Sequence, residues 1–509
     1  MAKQPHQLIA KSLERAKAHA NKGIIRATSL SPSDRKRLEA DGWLTRIIRG
    51  WYLLTQPSTH KGESTPWYSS FWNFVSIYLW ARFGDNYCLS ASASIDLHLG
   101  KSIIPRQLLV MVKKGGSTLL SLPFNTSILM YQETNTFPDS IEKINDINVM
   151  PLATALHRSS LKFYQQQFAD AEIALKMIDI DVLGRELLGG ANIASAERII
   201  GAYEFLHEKK HADKLYTVLQ SAGYQINPVN PFTIQEPLLK KQPHVQSPYV
   251  ARIMVMWEDM RNDILAIYPS EPGKNKIAKN YFSQLEKIYI NDAYNSLSIE
   301  GYEVTKDLID KIAKGDWDPQ KSLNDMSQMN AMAAKGYRLA FESVKHSIER
   351  IFKQQNAGKI IKSDLHKWYA ALFSPSVKAA LLNPEQLAGY RTQQVYIRGS
   401  IHTPLPQHAL LDAMDAYFNC LINESSASVR AILGHFIFVY IHPYMDGNGR
   451  IARFVMNSLF ASGGFPWTII RVTNRNEYFK ALEIASTKQD IKPFTKFILA
   501  EMQSAKVKI

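Results

Sequence analysis

The sequence predicts a mainly α-helical chain built in several parts, and three observations carry that expectation. From Ala251 onward apolar residues recur at helical spacing, starting with Ile253, Trp257, Met260, Ile264 and Ile267 on one face and stopping at Pro269. The first 61 residues instead string short helical patterns, a basic stretch and a hairpin pattern together. Between them, Pro228, Pro231, Pro237, Pro243 and Pro248 crowd a stretch that neither helix nor central strand tolerates. The expected parts are 1–61, a mixed α/β stretch 62–225, a proline-rich linker or extended clasp 226–250, and a helical half 251–505. That half has room for roughly seven or eight helices.

Bulk composition agrees with an ordinary globular protein. A length of 509 residues suits roughly two to four domains, and 46% hydrophobic with 21% charged residues is unremarkable. The two cysteines, Cys88 and Cys420, lie too far apart to suggest a ligand pair or a disulfide framework. The start, Met1-Ala2-Lys3-Gln4-Pro5, has no apolar core of a signal peptide, and no run of apolar residues is long enough to span a bilayer. A cytoplasmic protein without membrane segments is the expectation. Net charge is +14, and residues 1–61 hold twelve Lys/Arg against four Asp/Glu. That local excess points to a polyanion partner.

In order, residues 8–21 pattern as a helix ended by Gly23, and a short element follows through Ile24 to Leu30. Ser31-Pro32-Ser33-Asp34 supplies a cap and start for a basic helix containing Arg35, Lys36 and Arg37. Trp43 to Leu54 reads as a hairpin turning near Arg49-Gly50. Helix, short helix, basic helix and hairpin is the order of a winged helix-turn-helix, in which Arg35, Lys36, Arg37, Arg46 and Arg49 would contact DNA. The segment Gly23 to Tyr52 resembles the N-terminal domain of AbiEi-type antitoxin regulators. Trp67 to Phe83 and Leu89 to Leu99 then pattern as helices, Gln107 to Val112 as a buried strand, and Leu152 to Leu219 as further helices. Their order is again similar to the second domain of that antitoxin family. No catalytic constellation appears there. In the helical half, Met326, Met329 and Met332 read as a core stripe.

The chemistry concentrates in His442-Pro443-Tyr444-Met445-Asp446-Gly447-Asn448-Gly449-Arg450-Ile451-Ala452-Arg453. An apolar run precedes it and helical spacing follows, so it reads as a loop between two core helices. Gly447 and Gly449 leave backbone amides open at a helix start, where an anion is favoured. Asn448 can donate to a phosphate oxygen, and Asp446 offers the hard oxygen that Mg2+ prefers. Arg450 and Arg453 share a helix face and can take successive phosphates, with Ile451 and Ala452 between them in the same phosphate-binding stretch. His442 titrates near neutrality, which suits a general base.

This stretch resembles the signature of the Fic-domain family, His-Pro-Phe-x-Asp/Glu-Gly-Asn-Gly-Arg-x-x-Arg, departing from it only at Tyr444. The resemblance implies an all-α Fic domain over 251–505 that moves AMP from ATP, with Mg2+, to Ser, Thr or Tyr hydroxyls of target proteins. It also gives meaning to two weaker features. Ser296-Leu297-Ser298-Ile299-Glu300-Gly301 is similar to the family's inhibitory helix, here around 292–301. There the glutamate pairs with the second arginine of the signature, so Glu300 would pair with Arg453 and block the γ-phosphate. Val395, Tyr396, Ile397, Arg398 and Gly399 alternate as a short hairpin does. The resemblance implies a flap there that holds the target segment along a free strand edge. Tyr478 can stack on the base, with a core aromatic as the equal alternative. His435 has no third ligand near it, so no metal pair is expected.

Expected partners are therefore ATP, target proteins, DNA through residues 1–61, and a second copy of the chain as an option left open. The rival readings are a DNA-binding regulator whose Fic core is a sensor or idle, and a Fic transferase moving another nucleotide or phosphocholine. Removal of AMP by the same site is left open too.

Overall fold

Two helices and three short strands make up the N-terminal elements, in an order dictated by caps and β-branched residues. Helix α1 (Pro5–His19) leads to strand β1 (Ile24–Arg26), a single 3-10 turn, α2 (Pro32–Ala40), β2 (Leu44–Ile48) and β3 (Trp51–Leu54). Ser31 caps α2, its hydroxyl accepting from Asp34 N at 3.1 Å, with Pro32 at the first helical position. The computed structural model describes residues 5–506 apart from 58–62, 135, 191, 235, 240–244, 274–279, 317–324, 380–381, 384–386 and 388. The chain divides into two compact units, 1–248 with 396–403, and 249–395 with 404–509.

In the first unit the sheet order is β1-β3-β2, all antiparallel. The short helix expected after Gly23 is instead strand β1. Ile24 and Ile25 pair with Leu53 and Tyr52, as β-branched residues on a half-buried sheet prefer. Of the five expected DNA contacts, Arg37 is spent on Ser12 and Asp34, at 2.7 and 3.3 Å, and Arg35 donates to the Ala27 carbonyl at 3.1 Å. Lys36, Arg46 and Arg49 are exposed.

The unit continues with α3 (Thr65–Phe83), β4 (Tyr87–Leu89), α4 (Ala91–His98), β5 (Gln107–Val112), β6 (Thr118–Leu122), β7 (Thr126–Gln132), β8 (Glu142–Ile144) and β9 (Ile147–Val149). Strands β4-β5-β7-β6 form one sheet in which only β5 and β7 run parallel, and β8 pairs with β9. Six helices close the unit: α5 (Leu152–Arg158), α6 (Leu161–Gln166), α7 (Phe168–Met177), α8 (Ile180–Gly190), α9 (Ile193–Phe205) and α10 (Lys209–Ser221). The proline-rich stretch then packs back on them as a clasp. Leu238 and Leu239 donate to the buried Glu172 carboxylate at 3.0 and 2.9 Å, and Phe232 packs edge-on against Phe168. Pro243 lies outside the described residues.

Residues 396–403 belong to this unit although they lie far along the chain. The hairpin expected over 394–402 does not form, because the segment pairs elsewhere. His402 bridges antiparallel to Ile103, Ile104 N donates to the Ile401 carbonyl at 3.1 Å, and Thr403 N donates to Ser102 O at 2.6 Å. Gly399 N donates to Thr65 at 3.3 Å, and Arg398 lies 3.4 Å from Glu63. Alternation of apolar and polar residues marks a strand-like segment without saying what it pairs with.

The second unit is helical: α11 (Pro248–Ile267), α12 (Tyr281–Ile299), α13 (Lys306–Lys314), α14 (Asp325–Phe352), α15 (Ala357–Lys378), α16 (Leu410–Asn423), α17 (Ala427–Ile441), α18 (Asn448–Gly463), α19 (Arg475–Lys488) and α20 (Lys492–Lys506). Among the described residues these ten exceed the expected seven or eight. Its core takes in Trp368, Tyr417, Phe436, Phe438, Phe454 and Phe460, all buried. The methionine stripe is not part of it. Met329 is 55% exposed, since α14 turns Tyr337, Phe341, Val344 and Ile348 inward, and the Met326 side chain lies outside the described residues. Among the described residues no helix is long and apolar enough to cross a membrane.

Candidate active site

Helix α17 is buried along almost its whole length, so its end is fixed by the core rather than by solvent. His442 ends it in the left-handed conformation, φ 55° and ψ 61°. For a non-glycine residue that costs roughly 1–2 kcal/mol, so surrounding contacts must hold it. The ring is held too. Its Nδ1 lies 3.1 Å from the Val439 carbonyl, which makes Nδ1 the protonated nitrogen and leaves the Nε2 lone pair as the base. Burial pushes its pKa down to about 4, so the ring is neutral at ordinary pH.

After the turn, Gly447 caps α18 at φ 80° with no side chain bonded to the helix start. The first amides of α18 therefore have neither a helical carbonyl nor a capping oxygen, which is an anion site in the making. A Cβ on Gly447 would come within 2.8 Å of Phe373, so both backbone angle and space demand glycine. Asn448 has a different job from the one expected. Its Oδ1 accepts from Tyr444 N at 3.0 Å and its Nδ2 donates to Tyr444 O at 2.8 Å, so it staples the loop shut. Tyr444 stacks on Tyr369 at 3.7 Å between centroids.

Arg450 and Arg453 are both buried. Arg450 lies between the rings of Tyr302 and Phe373, 5.0 and 5.1 Å away, and donates to Asp446 at 3.0 Å. Ile451 and Ala452, expected in the phosphate-binding stretch, are core residues with no exposed surface. The Ile451 N–H closes the first helical turn onto the Gly447 carbonyl, so it is not left for an anion.

Ser296 and Glu300 come to Arg453 from α12. Arg453 donates to the Ser296 hydroxyl and carbonyl, each at 2.9 Å, and to Glu300 at 2.7 Å. Burial opposes the Arg453 charge, and the Glu300 carboxylate together with the hydroxyls of Tyr478 and Tyr337 more than offsets this, so the arginine is held firmly protonated. A Cβ on Gly449 would lie 2.3 Å from Glu300 Oε1. The Glu300 carboxylate thus rests against the opened start of α18, where an anion would go. Gly301, at φ 91°, makes the turn that ends α12 there. Arg450 Nε and Arg453 Nη1 are buried with no hydrogen-bond partner among the described residues. Each such group costs roughly 1–3 kcal/mol, a demand that phosphate oxygens would meet.

Two further residues lie outside the site expected from sequence. Asp292, one turn before Ser296, accepts from Trp467 and Tyr337 at 2.9 and 2.7 Å, and burial lifts its pKa to about 6. Its i, i+4, i+8 spacing with Ser296 and Glu300 was the available signal. Arg391 donates to the His442 carbonyl at 2.8 Å, and nothing in its local pattern announces that. Tyr478 is not a stacking platform. It is 1% exposed, bonded to His435 at 2.9 Å, and packed on Phe494 and Phe497, because α19 turns that face into the core. Among the described residues no three carboxylate, histidine or cysteine side chains cluster as a metal site.

Residues 360–460 match the Fic/DOC family profile. Over 246 residues the chain is 28% identical to the protein adenylyltransferase Fic of Nematostella vectensis, covering 47% of this chain and 52% of that protein. Over 121 residues it is 36% identical to the enzyme of the same name from Drosophila virilis, covering 23% and 24%. The chain thus spans about half of the first relative's length and about a quarter of the second's. Fic-1 (residues 134–508) of C. elegans superposes at a TM-score of 0.36 and 18% identity, covering 69% of this chain and 94% of that one. Enclosing the loop, the opened helix start and both arginines, the match makes residues 360–460 of this chain a Fic/DOC-family domain.

Proposed function

We propose that the chain is a protein adenylyltransferase held in check by its own Glu300. One observation carries the reading: a neutral, oriented histidine precedes the uncapped start of α18, a helix with two buried arginines that each have an N–H group without a partner among the described residues. His442 Nε2 takes the proton from a Ser, Thr or Tyr hydroxyl. The hydroxyl oxygen forms a bond to the α-phosphorus of ATP as the bond to the bridging oxygen of pyrophosphate breaks. Amides at the start of α18 stabilise charge on the transferring phosphate, while Arg450 and Arg453 hold the β- and γ-phosphates.

Asp446 fits a Mg2+ ligand. Its side chain is 62% exposed, and one carboxylate with phosphate and water oxygens is the set that ion prefers. Bound there, Mg2+ would neutralise phosphate charge. Glu300 would take the place of the γ-phosphate, and its carboxylate could position a water for hydrolytic removal of AMP, releasing free AMP and the hydroxyl.

Incubating the Glu300→Gly chain with α-labelled and γ-labelled ATP tests the reading. Self-modification should retain the α label only. Retention of the γ label would make it a kinase, and displacement by UTP or CDP-choline rather than ATP would change the donor.

A second activity is supported by exposed Lys36, Arg46 and Arg49 on a helix and hairpin of winged-helix order. Replacing all three by alanine should weaken duplex DNA binding by about tenfold or more and flatten its salt dependence. A gel shift unchanged by the triple substitution would remove this activity.

A further inference from the structure

Arg391 lies outside the motif and outside any helix, yet its polar atoms converge on it. The residue is 4% exposed. Its Nε donates to the His442 carbonyl at 2.8 Å, and its backbone N–H donates to Pro443 O at 2.9 Å. Its two Nη atoms donate to the carbonyls of Gln393 and Leu405. The carbonyls of His442 and Pro443 come just after the last turn of α17, where the helix offers no further donor. Buried carbonyls left without partners are costly. Arg391 therefore supplies what lets His442 keep its left-handed conformation. Gln393 and Leu405 are the two ends of the stretch that leaves the second unit at Val395 and re-enters it at Pro404.

We propose that Arg391 is a positioning residue for the transfer: one guanidinium ties the backbone of the base to the carbonyls of Gln393 and Leu405, holding the imidazole in the orientation that takes the acceptor proton. The inference rests on the adenylyl-transfer reading above. A planar fork suits three carbonyls arriving from different directions, whereas a lysine ammonium is a compact point charge that serves them less well. The Arg391 cation also faces the imidazole, together with the carboxylates of Glu300 and Asp446, and works against its protonation.

The test compares Arg391→Met and Arg391→Lys in the 509-residue Glu300→Gly chain, reading self-modification from α-labelled ATP. Arg391→Met should lower kcat by about tenfold or more while KM for ATP stays within about twofold. The acid limb of its pH profile should move to higher pH, because a cation opposing His442 protonation is gone. Arg391→Lys should recover part of kcat and restore the limb. Unchanged kcat overturns the proposal. So does a rise in KM for ATP with a lower folding midpoint and an unmoved acid limb, which is the pattern of a purely structural residue. If the Glu300→Gly parent itself transfers no label, the adenylyl-transfer reading fails and this proposal falls with it.

Discussion

Replacing His442 by alanine is expected to cut self-modification in the Glu300→Gly background by about 100- to 10,000-fold, the range for losing a general base. ATP affinity should stay nearly constant, because the phosphates are held by the amides and arginines of α18 rather than by the ring. The loss should therefore fall on kcat. The pH profile of the parent carries the matching sign. Burial holds the pKa of His442 at about 4, below the ordinary 6.5, so the base is present above that value and is lost as pH falls through it. Turnover should be flat from neutrality down to about pH 5 and then decline. Retained transfer by His442→Ala would remove the base from the mechanism. An acid limb near 6.5 would mean that the ring is wet when it acts.

Glu300→Gly should raise both ATP affinity and self-modification, each by about tenfold or more, equivalent to at least ~1.4 kcal/mol. The carboxylate sits 2.7 Å from Arg453 and against Gly449, so its removal frees a cation and the opened helix start together. The same substitution should destabilise the protein in the absence of nucleotide, because it leaves a buried guanidinium short of a partner. Ser296 keeps two bonds to Arg453, and the Glu300 side chain is 26% exposed. The loss should therefore stay below the ~3–5 kcal/mol of a fully buried pair. Calorimetry with and without ATP and Mg2+ checks this: the unfolding midpoint should fall, then recover with nucleotide. Glu300→Gln, similar in size but uncharged, should lie between parent and glycine variant. An unchanged labelling rate in Glu300→Gly would end the autoinhibition argument.

Local chemistry made the loop legible, and non-local geometry hid the rest. Two glycines, a carboxylate and arginines three apart define an anion site by their own spacing, and Ser296 with Glu300 shows because four residues make one helical turn. Asn448 was legible as polar but not as a staple, since its partner is the backbone of Tyr444 and backbone is the same in every sequence. Arg391 was hidden for the same reason, its partners being carbonyls. The two alternatives for Tyr478, base platform or core aromatic, stayed open because helical spacing does not tell which of two flanking faces a later helix will cover; α20 covers that one with Phe494 and Phe497. At 394–402 the pleat was readable and the pairing partner was not, since residues 102–104 lie some three hundred positions away.

That pairing has a practical side. Because residues 396–403 are built into the first unit, neither unit corresponds to one uninterrupted stretch of chain. A fragment begun at Tyr249 would carry His402 without Ser102, its buried partner at 2.9 Å, and Arg398 without Glu63. A fragment stopped at Pro248 would keep Ser102 and Ile104 with their backbone bonds to Thr403 and Ile401 unmade. Truncation at the proline-rich boundary, the obvious cut from sequence, would therefore damage both products. Excision needs the segment supplied in trans or the gap closed by a designed turn.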